Sequence, residues 1–361
     1  MPTYEKTRFE PGQTEATGIL VVNLGTPNAP TPAAVRQFLK EFLSDPRVVE
    51  YPRLLWWLIL NLVILRIRPS RSAEAYRKVW TDEGSPLLIY SKAITDKLSD
   101  SDTLRANGSV HVELAMTYGD PSIDDAIDKL LAKGVRRILT LPLYPQYSGT
   151  TTAAIYDAVV RKIGKLRWLP ETRFISSYHD APAYIMALAA NIREYWTEHG
   201  RGEKLLISFH GIPESLVTSG DPYQCHCHET GRLLVEELGL SDDEWLLTFQ
   251  SRVGREQWLQ PYTDEMVRLL AKQGVCTLDV VCPGFSTDCL ETIEEIAMQN
   301  AEFFTEAGGQ SLNYIPALNA NDAHVQFLSE LASNHIAGWS EALTTTNHQL
   351  PPHAAEIGAV K

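Results

Sequence analysis

Residues 207–213 read I-S-F-H-G-I-P: an apolar run that stops at His210, Gly211 and Pro213. Leu205, Leu206 and Ile207 have the character of a buried strand, and the glycine and proline end it, so His210 is expected at the strand's carboxyl end. In open α/β sheets that edge is where ligands bind. A histidine there can be a metal ligand or a proton acceptor, because its ordinary pKa of about 6.5 leaves the imidazole largely neutral near pH 7. A loop histidine that only hydrogen-bonds backbone fits this stretch equally well, so the rest of the chain has to decide.

Working outward, apolar runs and helical periodicities alternate. Gly18 to Gly25 (G-I-L-V-V-N-L-G) reads as a parallel strand buried on both faces, followed by Thr31 as N-cap and Pro32 as first residue of a helix. Strands are then expected at Val110 to Tyr118, Ile138 to Tyr144, Arg173 to Ser177, Trp245 to Phe249, Thr277 to Cys282 and Ser311 to Ile315. Helices are expected between them, including one from Pro182, one around Leu233 to Leu238, one from Asp288 and a last one at His324 to Ile336. Two such βα series predict an α/β protein of two similar Rossmann-like halves, each a parallel sheet flanked by helices, with the site in the cleft between them. The expected division is an arm over 1–17, a first half over 18–180, a second over 181–317, a carboxyl-terminal helix over 318–337 and a loose tail over 338–361. The G-T-P turn after the first strand has neither G-x-G-x-x-G nor G-K-[ST], which excludes a dinucleotide fingerprint and a P-loop.

Composition bounds the function. Of 361 residues 44% are hydrophobic and 21% charged, an ordinary globular balance, and a formal net charge of −13 argues against nucleic acid as a partner. The opening residues show no apolar run of the secretory kind, and a cytoplasmic location is expected. Five cysteines, an odd number, argue against a disulfide framework; Cys225 and Cys227 form a C-x-C pair, with Cys276, Cys282 and Cys289 far downstream. Leu54 to Leu65 (L-L-W-W-L-I-L-N-L-V-I-L) is too short to cross a bilayer, which takes about 20 apolar residues. Apolar all round, with Trp56 and Trp57 and arginines at its edges, it reads as an exposed lip over 54–68 that meets a membrane surface, in preference to a buried core helix.

The second chemical stretch is C-P-G-F-S-T-D-C-L-E-T-I-E-E-I, Cys282 to Ile296. On a helix beginning near Thr287, Asp288, Glu291 and Glu295 fall at i, i+3 and i+7 and form an acidic ridge. A solvated face is the ordinary explanation of such a ridge. Its position, opening at the same sheet edge as His210, suggests instead carboxylates facing an imidazole, a donor set for a divalent cation. Tyr76, Tyr118, Tyr144, Tyr147 and Trp258 lie in polar motifs, several just beyond strands, and together imply a flat apolar ligand.

These motifs in order, N-L-G-T-P, Y-P-Q-Y-S, S-F-H-G-I-P, G-D-P-Y, Q-S-R-V-G with W-L-Q-P, and C-P-G-F-S-T-D-C-L-E-T, closely resemble the ferrochelatase family, bacterial type, over roughly Gly18 to Ile336. The resemblance implies insertion of Fe²⁺ into protoporphyrin IX, with His210 and Glu291 as the catalytic and metal-binding pair. It also implies Asp288 and Glu295 on a proton or metal path, and Leu24, Tyr76, Tyr118, Ser148 and Trp258 lining the macrocycle pocket. The lip falls where the family meets membrane, so peripheral association with the inner face of the membrane is expected. Cys289 stands where many members have histidine, Thr117 where arginine is usual, and Gly149 where animal enzymes place a cluster cysteine. No cysteine follows Cys289, so no [2Fe–2S] cluster and no other cofactor is expected, iron being a substrate. A coproporphyrin or cobalt chelatase, and a non-catalytic tetrapyrrole or metal carrier, are the alternatives.

Overall fold

The computed structural model describes residues 4–5, 16–254 and 256–339. Eight strands form two four-stranded sheets. The first contains β1 (Ala16–Asn23), β2 (Val110–Met116), β3 (Val135–Pro142) and β4 (Glu171–Phe174); the second contains β5 (Lys204–His210), β6 (Trp245–Gln250), β7 (Thr277–Val281) and β8 (Ser311–Ile315). Every pairing is parallel, and the order is the same in both sheets, β2-β1-β3-β4 and β6-β5-β7-β8. The first strand of each half therefore lies inside its sheet, between the second and the third, at the point where strand order reverses and a crevice opens beyond the carboxyl ends.

Burial follows from that placement. All eight residues of β1 are buried, as are Leu205 to Phe209 of β5. Ile19, Val21, Leu139 and Leu141 of the first sheet share one apolar cluster with Ile207, Phe209, Val281 and Ile315 of the second. The two halves thus have a common core. The last helix, Asp322–Ile336, reinforces it: Asn107 donates to Ser333 at 2.9 Å and Lys97 pairs with Asp322 at 2.7 Å, so this helix straps the first half from the far end of the chain.

Several boundaries differ from the sequence reading. The helix expected around Leu233 starts ten residues earlier and spans Tyr223–Leu238, because D-P-Y rather than the apolar residues opens it. β1 begins at Ala16, inside the expected arm, and Glu5 of that arm pairs with Leu166 and with the Lys162 ammonium. Trp339 falls in the stretch read as a loose tail yet is 3% exposed, receiving Arg137 on its carbonyl and Arg173 over its ring. The remainder of that tail, 340–361, lies outside the described residues.

The stretch over 54–68 is exposed, but only partly in the way read from the sequence. It is a helix, Arg53–Ile59, running through a π turn, Leu60–Ile64, into a second helix, Leu65–Val79. Leu54, Trp57 and Ile67 are 79%, 57% and 58% exposed, and Leu55, Leu58, Leu62 and Val63 join them, while Leu60 and Leu65 are buried. Trp56 is the correction. Its indole packs with the cluster of Val35, Phe38 and Leu39 and donates to the Leu43 carbonyl at 2.6 Å, so it anchors the lip instead of presenting it. Trp57→Ser should leave stability within about 0.5 kcal/mol, as an exposed site does. Trp56→Ser should cost roughly 1–3 kcal/mol, less than full deletion of a core tryptophan because the ring is only half buried. Equal melting temperatures for the two variants in thermal denaturation would contradict this division.

Candidate functional site

His210 is the last residue of β5, opposite Gln250 at the end of β6. Its Nδ1 lies 2.6 Å from the Gly211 carbonyl oxygen. A carbonyl can only accept, so Nδ1 carries the proton and Nε2 is left with a free lone pair. Trp258 and Phe285 flank the imidazole, each with its ring centre 6.4 Å away. The segment carrying Trp258 is held against the His210 loop by a Pro213–Trp258 bridge and by Leu259 N–H donating to the Ile212 carbonyl.

Gln250, which the sequence reading missed, connects this corner to the acidic segment. Its Nε2 donates to the Glu291 carbonyl at 2.9 Å and its Oε1 accepts from Ser208 at 2.7 Å. Residues Glu291–Asn300 are π-helical. Bonds there run i→i+5, so each turn is wider than an α turn, and Asp288 lies before the segment, outside any helix. Burial pushes the Tyr76 and Tyr144 hydroxyls and the Cys289 thiol upward, and the nearby Glu291 carboxylate adds to each shift. Glu294, which the ridge omitted, is 7% exposed and pairs with Lys78 at 2.8 Å. Glu295 accepts from both the backbone N–H and the hydroxyl of Ser251. Asp288 is no part of a solvated ridge: it is 6% exposed and accepts from Tyr314, Asn319, Thr292 and the Ala317 N–H.

The expected pocket residues divide. Leu24, Tyr76 and Tyr118 belong to one apolar cluster that also includes Phe42 and Leu290, the residue before Glu291. Gly25 makes the close approach possible: with φ +110°, a Cβ there would lie 1.8 Å from the Tyr118 carbonyl oxygen. The Tyr118 hydroxyl donates to Asp45 at 2.9 Å, and burial followed by that carboxylate raises its pKa. Trp258 stands with His210. Ser148 does not join either group; it is 1% exposed and its hydroxyl is spent on Asp221 at 2.9 Å, so it shapes the Tyr147–Thr150 loop. Among the described residues no three His, Cys, Asp or Glu side chains converge as a metal-holding group.

Burial raises Glu295 to about 7, against the Ser251 hydrogen bonds that lower it. A folded-state pKa above the unfolded value of about 4.3 means the native state holds the proton more tightly. The associated stability is therefore complete below the unfolded pKa and lost as pH rises through about 7. Glu295→Gln should flatten the fall in melting temperature between pH 5 and 8 and be relatively more stable at pH 8. Parallel pH profiles for variant and parent would show that Glu295 titrates normally.

The ferrochelatase family model matches residues 16–336. Among curated proteins, the chain is 54% identical over 334 residues to the ferrochelatase of Thioalkalivibrio sulfidiphilus, covering 92% of this chain and 90% of that one. It is 54% identical over 345 residues to the ferrochelatase of Idiomarina loihiensis, covering 94% of each. Among solved structures, SirB from Bacillus subtilis with Fe³⁺ superposes with a TM-score of 0.54 at 11% identity, covering 91% of this chain and 98% of that one. The sirohydrochlorin chelatase SirB from Bacillus subtilis subspecies spizizenii, in complex with cobalt, gives 0.52 at 11% identity, covering 92% and 98%. These two likenesses show the two-sheet fold alone, whereas the matched family model and the 54% identities, in agreement with the motifs around His210 and Glu291, establish that the chain belongs to the ferrochelatase family.

Proposed function

We propose that His210 and Glu291 carry out the insertion of Fe²⁺ into protoporphyrin IX, the reaction that family membership assigns to this chain. The observation that carries the reading is the 2.6 Å contact of His210 Nδ1 with the Gly211 carbonyl: it requires the proton on Nδ1, so in the neutral ring Nε2 is the acceptor at the sheet edge. Two pyrrole protons must leave the free-base ring as the metal enters. Nε2 takes one, Glu291 stabilises the imidazolium that forms, and the second follows by the same route once the first has passed to water. Before it takes a proton, Nε2 can also serve with Glu291 as a donor to iron in transit, which then passes to the porphyrin nitrogens. Trp258 and Phe285 on one side, and Leu24, Tyr76 and Tyr118 on the other, supply flat and apolar walls for a macrocycle. The buried Tyr144 hydroxyl and Trp258 indole N–H have no partner among the described residues, which suits a cleft whose polar donors meet a ligand. Asp288 accepts four hydrogen bonds against the two that Glu295 accepts from Ser251, and is the poorer carrier of protons or metal.

His210→Ala should lower turnover by about 10²–10⁴ while leaving the fold intact. Glu291→Gln should reduce turnover and move the acid limb of the kcat/KM profile to lower pH, since a carboxylate raises the pKa of a facing imidazole. Anaerobic assays with Fe²⁺ and protoporphyrin IX, following conversion of the free-base spectrum, test both. Near-normal steady-state rates in folded His210→Ala would end the assignment, and many turnovers per chain separate an enzyme from a carrier.

The exposed apolar face of the lip, edged by Arg53 and Arg66, supports reversible membrane contact from the cytoplasmic side. No described helix is long and apolar enough to cross a membrane. Trp57→Ser combined with Leu54→Ser should weaken sedimentation with anionic liposomes at unchanged melting temperature; unaltered sedimentation would remove the lip from membrane contact. For the cysteines, no iron–sulfur cluster is part of this reading. Cys225 and Cys227 are two apart on one helix and point to opposite sides, one exposed and one buried, while Cys227, Cys282 and Cys289 lie in three different apolar clusters. The purified protein should lack visible-range absorption, and stoichiometric acid-labile sulfide after anaerobic purification would overturn that.

A further inference from the structure

Between β7 and Glu291 the chain must turn from the sheet into the π segment, and the three residues that make the turn, Ser286, Thr287 and Asp288, are gripped from outside. Asn319 does most of this. Its Nδ2 donates to Asp288 Oδ2 at 2.7 Å, its Oδ1 accepts from the Asp288 backbone N–H at 2.8 Å, and its own N–H donates to the Ser286 carbonyl at 3.0 Å. Its carbonyl is 2.7 Å from His324 Nδ1, which must carry the proton because a carbonyl can only accept. Every polar group of Asn319 is therefore engaged, and the residue sits in the left-handed region at φ +48°, which asparagine tolerates better than most residues. From the other side, Asn23 at the end of β1 donates to Thr287 Oγ1 at 3.1 Å and to Ser91 at 2.9 Å. Tyr314 donates to the remaining Asp288 oxygen at 2.6 Å.

We infer that Asn319, held by His324, is a positioning residue for the reaction: through its two bonds to Asp288 it sets where the first π turn begins, and so where the Glu291 carboxylate points. The segment starts after Leu290 without a side-chain cap of its own, so the bonds made to the residues just before it fix its start. Asp288 accordingly acts as an anchor and not as an entry in a relay. The inference rests on the proposed role of Glu291, and Asn319 itself touches neither substrate.

The test is a double-mutant cycle in steady-state insertion of Fe²⁺ into protoporphyrin IX. Asn319→Gly keeps the left-handed backbone accessible while deleting the amide. It should lower kcat by roughly 10–100-fold, the scale of a displacement of about 1 Å at a reacting group. In the Glu291→Gln background the same change should cost less than about 3-fold, because residues acting through one another are not additive. Equal losses in both backgrounds would overturn the inference, since a purely structural defect would subtract the same factor from each. Should Asn319→Gly fail to fold by near-ultraviolet circular dichroism, Tyr314→Phe, which removes one Asp288 donor and keeps the ring, runs the same cycle with the same criterion. Wild-type rates for Glu291→Gln alone would instead sink the proposed pairing with His210, a separate result read from a single variant.

Discussion

A strand buried on both faces can carry polar chemistry only at its ends, and both halves of this protein put such a strand inside a four-stranded parallel sheet. β5 leaves no room for a polar side chain from Leu205 to Phe209 other than Ser208, which is paid for by Gln250 and Thr263. The first position at which the chain can expose an imidazole is His210. Because β5 lies between β6 and β7, Gln250 at the end of β6 and the segment that leads from β7 to Glu291 arrive at the same edge. The site is thus a consequence of strand order before it is a consequence of any contact.

The acidic segment shows why periodicity alone misplaces charges. At α-helical spacing Asp288, Glu291 and Glu295 would share one face; in the structure Asp288 precedes the π-helical segment and the three carboxylates have different partners. Asp288 turns back into hydrogen bonds from the β8 end of the chain, Glu291 lies near enough to Tyr76 and Tyr144 to add to their shifts, and Glu295, half-buried, is bonded to Ser251. Burial raises Glu295 into the neutral range, and the same desolvation makes a carboxyl there able to hold and release a proton near physiological pH.

The lip obeys a similar rule. An all-round apolar stretch gives no phase to say which residues are anchors. The π turn at Leu60–Ile64 and the packing of the Pro32–Ser44 helix against Leu65–Val79 decide that Leu60, Leu65 and Trp56 face inward while Leu54, Trp57 and Ile67 do not. Two adjacent tryptophans thereby acquire different roles, one mechanical and one presented to the surroundings.

By itself the sequence determined the alternation of strands and helices, the two parallel halves, the strand-end position of His210, the Thr31–Pro32 helix start and the short span of the lip. These are local patterns of burial, capping and turn chemistry, and each is written within a few neighbouring residues. Tertiary structure alone decided what depends on distant partners: that Ser148 is consumed by Asp221, that Trp339 docks on Arg137 and Arg173, that Gln250 joins His210 to Glu291, and that Asn319 grips Asp288. A wider helical turn leaves no mark in apolar periodicity, and a hydrogen bond between residues 31 positions apart leaves none in any window. The direction in which a carboxylate points is set by those bonds, which is why the residues could be named from the sequence and their roles could not.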